Sequence, residues 1–122
     1  MTNQQQVENK AIIRRLYNAF NAGDADALEA LLAEDLINHN PWMSNGRAAA
    51  QAALRQVGTM KVDVLQMVAD GDLVAIYGHY KTPTEGAGMD FYKLKDGQVI
   101  EHWDVRQEIT PPNTTVPVPS AS

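Results

Sequence analysis

Apolar residues recur at three- and four-residue steps from Val7 to Phe20, through Ala11, Ile13, Leu16 and Tyr17. That period places them on one stripe of an amphipathic helix. The polar break NAGDAD follows. Gly23 suits a left-handed helix end and Asp24 a cap for the next helix. A second helix is predicted over 25–33, with Leu28, Leu31 and Leu32 inward. LINHNPW then reads as a brief extended segment ended by Pro41, which biases Asn40 away from helical backbone. An alanine-rich third helix is predicted near 47–56, where small side chains permit close packing.

Beyond Lys61 the period changes to two. KVDVLQMV alternates Val62, Val64 and Gln66 against Asp63, Leu65 and Met67. The Asp-Gly of ADGD is a hairpin turn, and LVAIYGHYK is the next strand. TPTEGAG reads as a loop, MDFYKLK as a third strand, KDGQ as a second tight turn and VIEHWDVRQ as a fourth strand. Helices followed by an antiparallel meander predict an α+β fold. Three helices on one face of a strongly twisted sheet would leave a cone-shaped cavity. The proline-rich stretch 110–122 has no periodicity and is expected to be a flexible tail after a single domain of 1–109.

Composition narrows the function classes. The 122 residues suit one domain, and a net charge of −5 without a basic patch speaks against nucleic acid. With no cysteine, thiolate chemistry, disulfides and cysteine-based zinc sites are excluded. The polar start MTNQQQVENK lacks the apolar stretch of a secretory leader, and no apolar run reaches the roughly 18 residues of a membrane span. A cytoplasmic protein without a membrane partner is expected. EGAG does not open a helix, so no phosphate loop is present, and there is no G-x-S-x-G elbow.

VIEHWDVRQ carries more polar chemistry than a packing strand needs. Alternation puts Ile100, His102, Asp104 and Arg106 on one face and Val99, Glu101, Trp103, Val105 and Gln107 on the other. An aspartate in an apolar cavity loses hydration and becomes a stronger base, so Asp104 is a candidate general acid/base. It also reads as a surface strand carboxylate paired with Arg106 or a neighbouring strand. His102 is placed to orient a carbonyl or to partner Asp104. His-x-Asp is also metal-ligand spacing, to which His39 or His79 would have to add, and two ligands are too few to name a metal. His39 and Asn40 read as loop binding groups or as a turn, and His79 as a site residue or a core histidine. Trp103 suits core or dimer packing. Tyr17 and Tyr77 are possible donors to an enolate.

Three segments, NHNPWMSNGR, DGDLVAIYGHY and MDFYKLKDGQVIEHWDVRQ, together resemble the SnoaL-like group of the nuclear transport factor 2-like superfamily. The match is narrower still to proteins described as predicted SnoaL-like aldol-condensation enzymes, and runs from about Val7 to Gln107. Lys93 stands where members typically have arginine, which keeps the charge and loses the bidentate fork. The resemblance implies a pocket inside the cone without metal or organic cofactor. It also implies acid/base chemistry, aldol-type condensation, cyclisation or isomerisation, on a small hydrophobic carbonyl compound. The implied catalytic residues are Asp104, His102, His79 and His39, with Asn40, Asp90, Tyr17 and Tyr77 binding substrate. Asp90 reads as a second carboxylate or as an Arg/Lys-paired anchor. A homodimer through the outer sheet face is expected. The rival readings are a small-ligand-binding or dimerisation module, and a hydrolase or hydratase using aspartate-activated water. A catalytic site would bring Asp104 within hydrogen-bond reach of a second polar group beside open space. A binder would show it salt-bridged or turned to solvent.

Overall fold

Helix α1, Asn3–Ala22, buries Ile12, Ile13, Leu16, Tyr17 and Ala19 in a computed structural model that describes residues 3–41, 43–81 and 84–109. Its apolar stripe starts later than the sequence period suggests, since Val7 is 60% exposed. The helix ends in a Schellman arrangement: Gly23 N–H donates to Phe20 O (3.2 Å) and Asp24 N–H to Ala19 O (2.9 Å). Gly23 has φ +68°, and an added Cβ would stand 2.6 Å from Gly58 O, so glycine is required there twice over. Asp24 Oδ1 accepts from Ala27 N–H at 3.2 Å, and α2 is only the single turn Leu28–Leu31. α3 spans Arg47–Val57. The expected tail at 110–122 lies outside the described residues.

The sheet has five strands: β1 (Leu32–Asn38), β2 (Val62–Asp70), β3 (Leu73–Tyr80), β4 (Gly86–Lys95) and β5 (Gln98–Glu108). Their spatial order is β1-β5-β4-β3-β2. The last four form the predicted antiparallel meander. The segment at Leu32–Asn38 exceeds its expected role, pairing parallel to β5 as an edge strand. The β4–β5 turn has both central residues left-handed, Asp96 (φ 52°) and Gly97 (φ 81°), the type I′ geometry that Asp-Gly favours. At the other edge the Asn21 side chain accepts from Val62 N–H (2.6 Å) and donates to Val62 O (2.9 Å), closing the exposed edge of β2.

The helix-facing side of the sheet carries Val62, Met67, Val74, Ile76, Tyr80, Tyr92, Leu94 and Val99, packed with Ile13, Leu16, Leu28 and Leu36 in one core. Strict alternation fails at two irregularities. The β2–β3 register shifts between Val64 and Gln66, so Met67 joins the face of Val62. The β4–β5 register shifts between Lys93 and Leu94, where β5 holds the extra residue Ile100. Val99 therefore shares the inner face with His102, contrary to the alternation read from the sequence.

Candidate active site

The bulge at Ile100 sets which residues meet inside. Beyond it Tyr92 pairs with His102, Asp90 with Asp104 and Gly88 with Arg106. Opposed residues of an antiparallel pair point to one face, so the two aspartates sit side by side facing the helices. Like charges directly opposite each other repel. Arg106 relieves this, with Nη1 3.4 Å from Asp90 Oδ2 and Nη2 3.4 Å from Asp104 Oδ2. Its guanidinium lies 3.5 Å over the Tyr80 ring.

Gly88 makes that path possible, because a Cβ there would stand 2.7 Å from Arg106 Nη1 and 3.0 Å from Val105 O. Gly88→Ala is expected to lift Arg106 off the tyrosine and cost about 1–2 kcal/mol in urea unfolding. In an Arg106→Ala background the same change should cost clearly less. Equal costs in both backgrounds would show that Arg106 is not what the glycine accommodates.

Asp90 is the buried centre of the network. His102 Nε2 stands 2.7 Å from its Oδ1, and the Tyr80 hydroxyl and Arg106 donate to its Oδ2. Burial pushes this carboxyl up, but the His102 hydrogen bond, the Arg106 and His102 charges and the Tyr80 hydroxyl outweigh it and hold the group below the usual carboxylate range. Tyr17 Oη lies 2.6 Å from Tyr92 Oη and 3.3 Å from Tyr80 Oη. Burial raises all three phenols well above their ordinary value, reinforced by Asp90 and, for Tyr17 and Tyr92, by neighbouring tyrosines, so they are neutral donors. Since Tyr80 gives its proton to the carboxylate, the simplest chain runs Tyr92 to Tyr17 to Tyr80 to Asp90.

Asp104 is placed differently. Its side chain is 4% exposed and its Oδ2 takes the Asn40 Nδ2–H at 2.9 Å together with Arg106. Among the described residues no hydrogen bond reaches its Oδ1. The two criteria separating catalyst from binder are thus both partly met: a second polar group is in reach, and a long ion pair is present. His102 is engaged at both nitrogens, with Nδ1 3.2 Å from Asn38 Oδ1. It stacks on Tyr92 at 4.8 Å.

These groups form one wall of a cavity of about 150 Å³. Leu16, Phe20, Leu36, Leu54, Val57 and Met60 supply apolar walls opposite the carboxylates. That volume suits a ligand of about benzene size. A more open groove of about 410 Å³ between α1 and β2, lined by Arg14, Asn18 and Asp63, contains neither inward carboxylate.

The predicted residues divide by face. Asp104, His102, Asp90, Asn40 and Tyr17 all border the cavity. His79 and Tyr77 do not: they pair with Ala87 and Met89 on the outer face of the sheet. His79 Nε2 is 3.6 Å from Glu85 Oε2. His39 also lies outside, stacked on Trp103 (ring centroids 4.9 Å apart, planes 7° apart) with Nε2 2.7 Å from Glu101 Oε2. The reason is period two, since His79 and Tyr77 alternate with the inward Gly78 and Tyr80. Tyr80, Tyr92, Asn38 and the bridging role of Arg106 were not foreseen. Tyr92 shares parity with Asp90, which was the available signal.

One ligand atom from each of Asp90, His102 and Asp104 lies within 4.8 Å of the others, a spacing able to hold a cation. The third member is thus Asp90, and not His39 or His79. Arg106 already places positive charge against both carboxylates, and His102 is turned onto Asp90, so the donors serve one another.

Three helices packed on a five-stranded, mostly antiparallel sheet form the nuclear transport factor 2-like α+β cone fold. Within it the chain belongs to the SnoaL-like domain family, whose model matches residues 13–102. Solved structures agree on the fold. A candidate ketosteroid isomerase from Kribbella flavida superposes with TM-score 0.76 at 24% identity, covering 88% of this chain and 83% of that one. IdmH, a candidate polyketide cyclase from Streptomyces antibioticus, gives TM-score 0.65 at 24% identity, covering 80% and 91%. An LEH-like epoxide hydrolase from M. tuberculosis gives 0.72 at 19% identity, covering 84% of each chain. Comparison with curated protein sequences finds no match. Among the described residues no helix is long and apolar enough to cross a membrane.

Proposed function

We propose that the chain is a cofactor-independent acid/base enzyme acting on a small hydrophobic carbonyl compound, with Asp104 as the base. The observation that carries this is the Asp104 side chain, 4% exposed at the cavity wall and held, among the described residues, through Oδ2. Oδ1 would take a proton from the carbon next to the carbonyl, and the C–H electron pair would move to the carbonyl oxygen as an enolate. Arg106 retains N–H donors beyond its two carboxylate contacts and stands beside that oxygen's place. In an aldol step the enolate carbon attacks a second carbonyl carbon, and the new alkoxide takes back the proton held on Asp104. His102 and Asp90 support the site by position. The cavity volume favours substrates of about benzene size. Incubating the protein with small β-dicarbonyl compounds in D₂O should accelerate deuterium uptake at the activated carbon. Rates equal to buffer across the panel, with ligand binding retained, would favour the binding-module reading.

A second reading rests on the Asp90–Arg106–Asp104 bridge. Two carboxylates sharing one cation, with Asn40 beside them, suit a water activated by Asp104 for addition to an epoxide or double bond. The epoxide hydrolase among the structural neighbours lends it weight. Incorporation of ¹⁸O from labelled water separates it from the aldol reading.

The expected partner is a second copy of this chain. Cross-strand register gathers two adjoining rows on the outer face: Val68, Ala75, Phe91 and Trp103, then Gln66, Tyr77, Met89 and Val105. Val68 (53%) and Val105 (65%) are strongly exposed. Charged residues frame the rows, with Asp70, Lys93 and Glu101 at one end and Asp63 and Lys81 at the other. Four strands about 4.8 Å apart and roughly eight residues long present on the order of 500 Å² in projection. That approaches the roughly 800 Å² each partner buries in a stable dimer. Sedimentation should show a dimer for the parent and a monomer for Phe91→Lys. A monomeric parent at micromolar concentration would remove the proposal.

A further inference from the structure

The segments Asn38-His39-Asn40 and His102-Trp103-Asp104 interlock residue by residue. Asn38 Oδ1 faces His102 Nδ1 at 3.2 Å on the cavity side, and Asn40 Nδ2 donates to Asp104 Oδ2 at 2.9 Å on the same side. Between them His39 turns the opposite way. Its ring stacks on Trp103 outside the sheet and its Nε2 reaches Glu101 Oε2 at 2.7 Å. Backbone bonds tie the two segments together, with His39 N–H donating to His102 O at 2.9 Å. Asn40 N–H donates to Asn38 Oδ1 at 3.1 Å. The end of β1 therefore grips β5 from both faces, at the point where β5 presents its inward carboxylate.

We infer that His39 is a positioning residue for Asp104, acting from the outer face through Trp103 and Asn40. This rests on the reading of Asp104 as the base. Among the described residues β1 is an edge strand paired to β5 alone, and its ladder is interrupted between Leu32 and Ile37. Asn38 N–H donates to Asn45 Oδ1 at 2.8 Å and Met43 N–H to Asn40 O at 3.1 Å, so the loop side is tied as well, and the His39 contacts supply the hold on the outer face of β5. The stack and the Glu101 contact stop the chain from lifting off. The Asn40 amide is thereby kept on Oδ2, leaving Oδ1 for the substrate. Without the grip Oδ2 keeps the longer Arg106 contact at 3.4 Å, which leaves the carboxylate room to turn, and a misplacement of about 1 Å can cost about a hundredfold in rate.

The test compares the Asn40 side-chain amide by ¹⁵N–¹H NMR in the parent, His39→Ala, His39→Gln and His39→Phe. Alanine and glutamine both remove the stack, and glutamine keeps a polar reach toward Glu101, which gives a second folded comparison. In both the Asn40 amide protons should exchange about tenfold faster and move toward the shifts of a free amide. Phenylalanine, which restores the stack, should restore them. Trp103→Ala should reproduce His39→Ala, and the double variant should go no further than either single one. Deuterium exchange into a β-dicarbonyl probe should lose about tenfold in kcat in His39→Ala with KM within about twofold, and recover in His39→Phe. An unchanged Asn40 amide in both His39→Ala and His39→Gln overturns the inference. If Asp104→Asn leaves probe exchange intact, the base reading fails, and the amide signals alone still decide whether His39 holds Asn40 on Asp104.

Discussion

Replacing Asp104 by asparagine is expected to lower catalysed deuterium exchange of a β-dicarbonyl probe by about a thousandfold, within the range that a positioned general base contributes. The amide has the shape of the carboxylate, and its oxygen can still accept from Asn40, which at present bonds Oδ2 at 2.9 Å. The fold should therefore survive with a stability change of about 1 kcal/mol or less. What is lost is the lone pair at the free oxygen, since an amide does not take a proton from carbon at neutral pH. The loss should fall on kcat and leave KM nearly unchanged, because the apolar walls and Arg106 still hold the ligand. A variant exchanging at the parent rate would remove Asp104 from the chemistry. It would also turn attention to the water-activating and binding alternatives.

Asp90→Asn should act on stability. The carboxylate is 1% exposed and is met by His102, Tyr80 and Arg106. Neutralising it leaves a cationic guanidinium and an imidazole facing an amide, and breaking a buried pair by removing one partner costs about 3–5 kcal/mol. The lower end is expected, near 3 kcal/mol, because the Arg106 side chain is 38% exposed and water screens it. The acid limb carries an independent signature. A carboxyl held below its ordinary value in the folded protein contributes stability that is present above the ordinary carboxylate range. That contribution disappears as pH falls from the ordinary value through the folded one, below about pH 4. The parent should lose stability steeply there and Asp90→Asn should not. Parallel acid limbs in the two proteins would mean that Asp90 is not the stabilising anion.

The contrast between these two aspartates was not available from residue types. Both lie on strands with inward parity, and both read as candidate carboxylates. The partners differ: among the described residues three side chains converge on Asp90 from β3 and β5, and Asn40 and Arg106 alone reach Asp104. Those partners come from sequence separations that local patterning does not see. His79 and Tyr77 illustrate the opposite case. Their period-two relation to Gly78 and Tyr80 was legible, but which parity faced the helices was not, so two plausible site residues lie on the outside of the sheet. His39 is subtler, because it joins the site's scaffold without entering the cavity.

Most of the elements, their order and their family were written in the chain, while the parallel edge strand β1 was not. Periods of 3.6 and 2, the Gly23 cap and the Asp-Gly turns are local properties of neighbouring residues, and these determined an α+β fold with a four-stranded meander. The inside of that fold was decided by one residue. From its turn the β4–β5 ladder pairs Lys95 with Gln98 and Leu94 with Val99. Continued without interruption it would set Asp90 opposite Trp103 and send His102, Asp104 and Arg106 outward. The extra residue at Ile100 shifts the register by one, so that Val99 seals the core and Asp104 meets Asp90 within it. A bulge costs local pairing and is repaid only by what it brings together across the sheet and under the helices. That is why the sequence specified the strand, and only the tertiary structure chose its face.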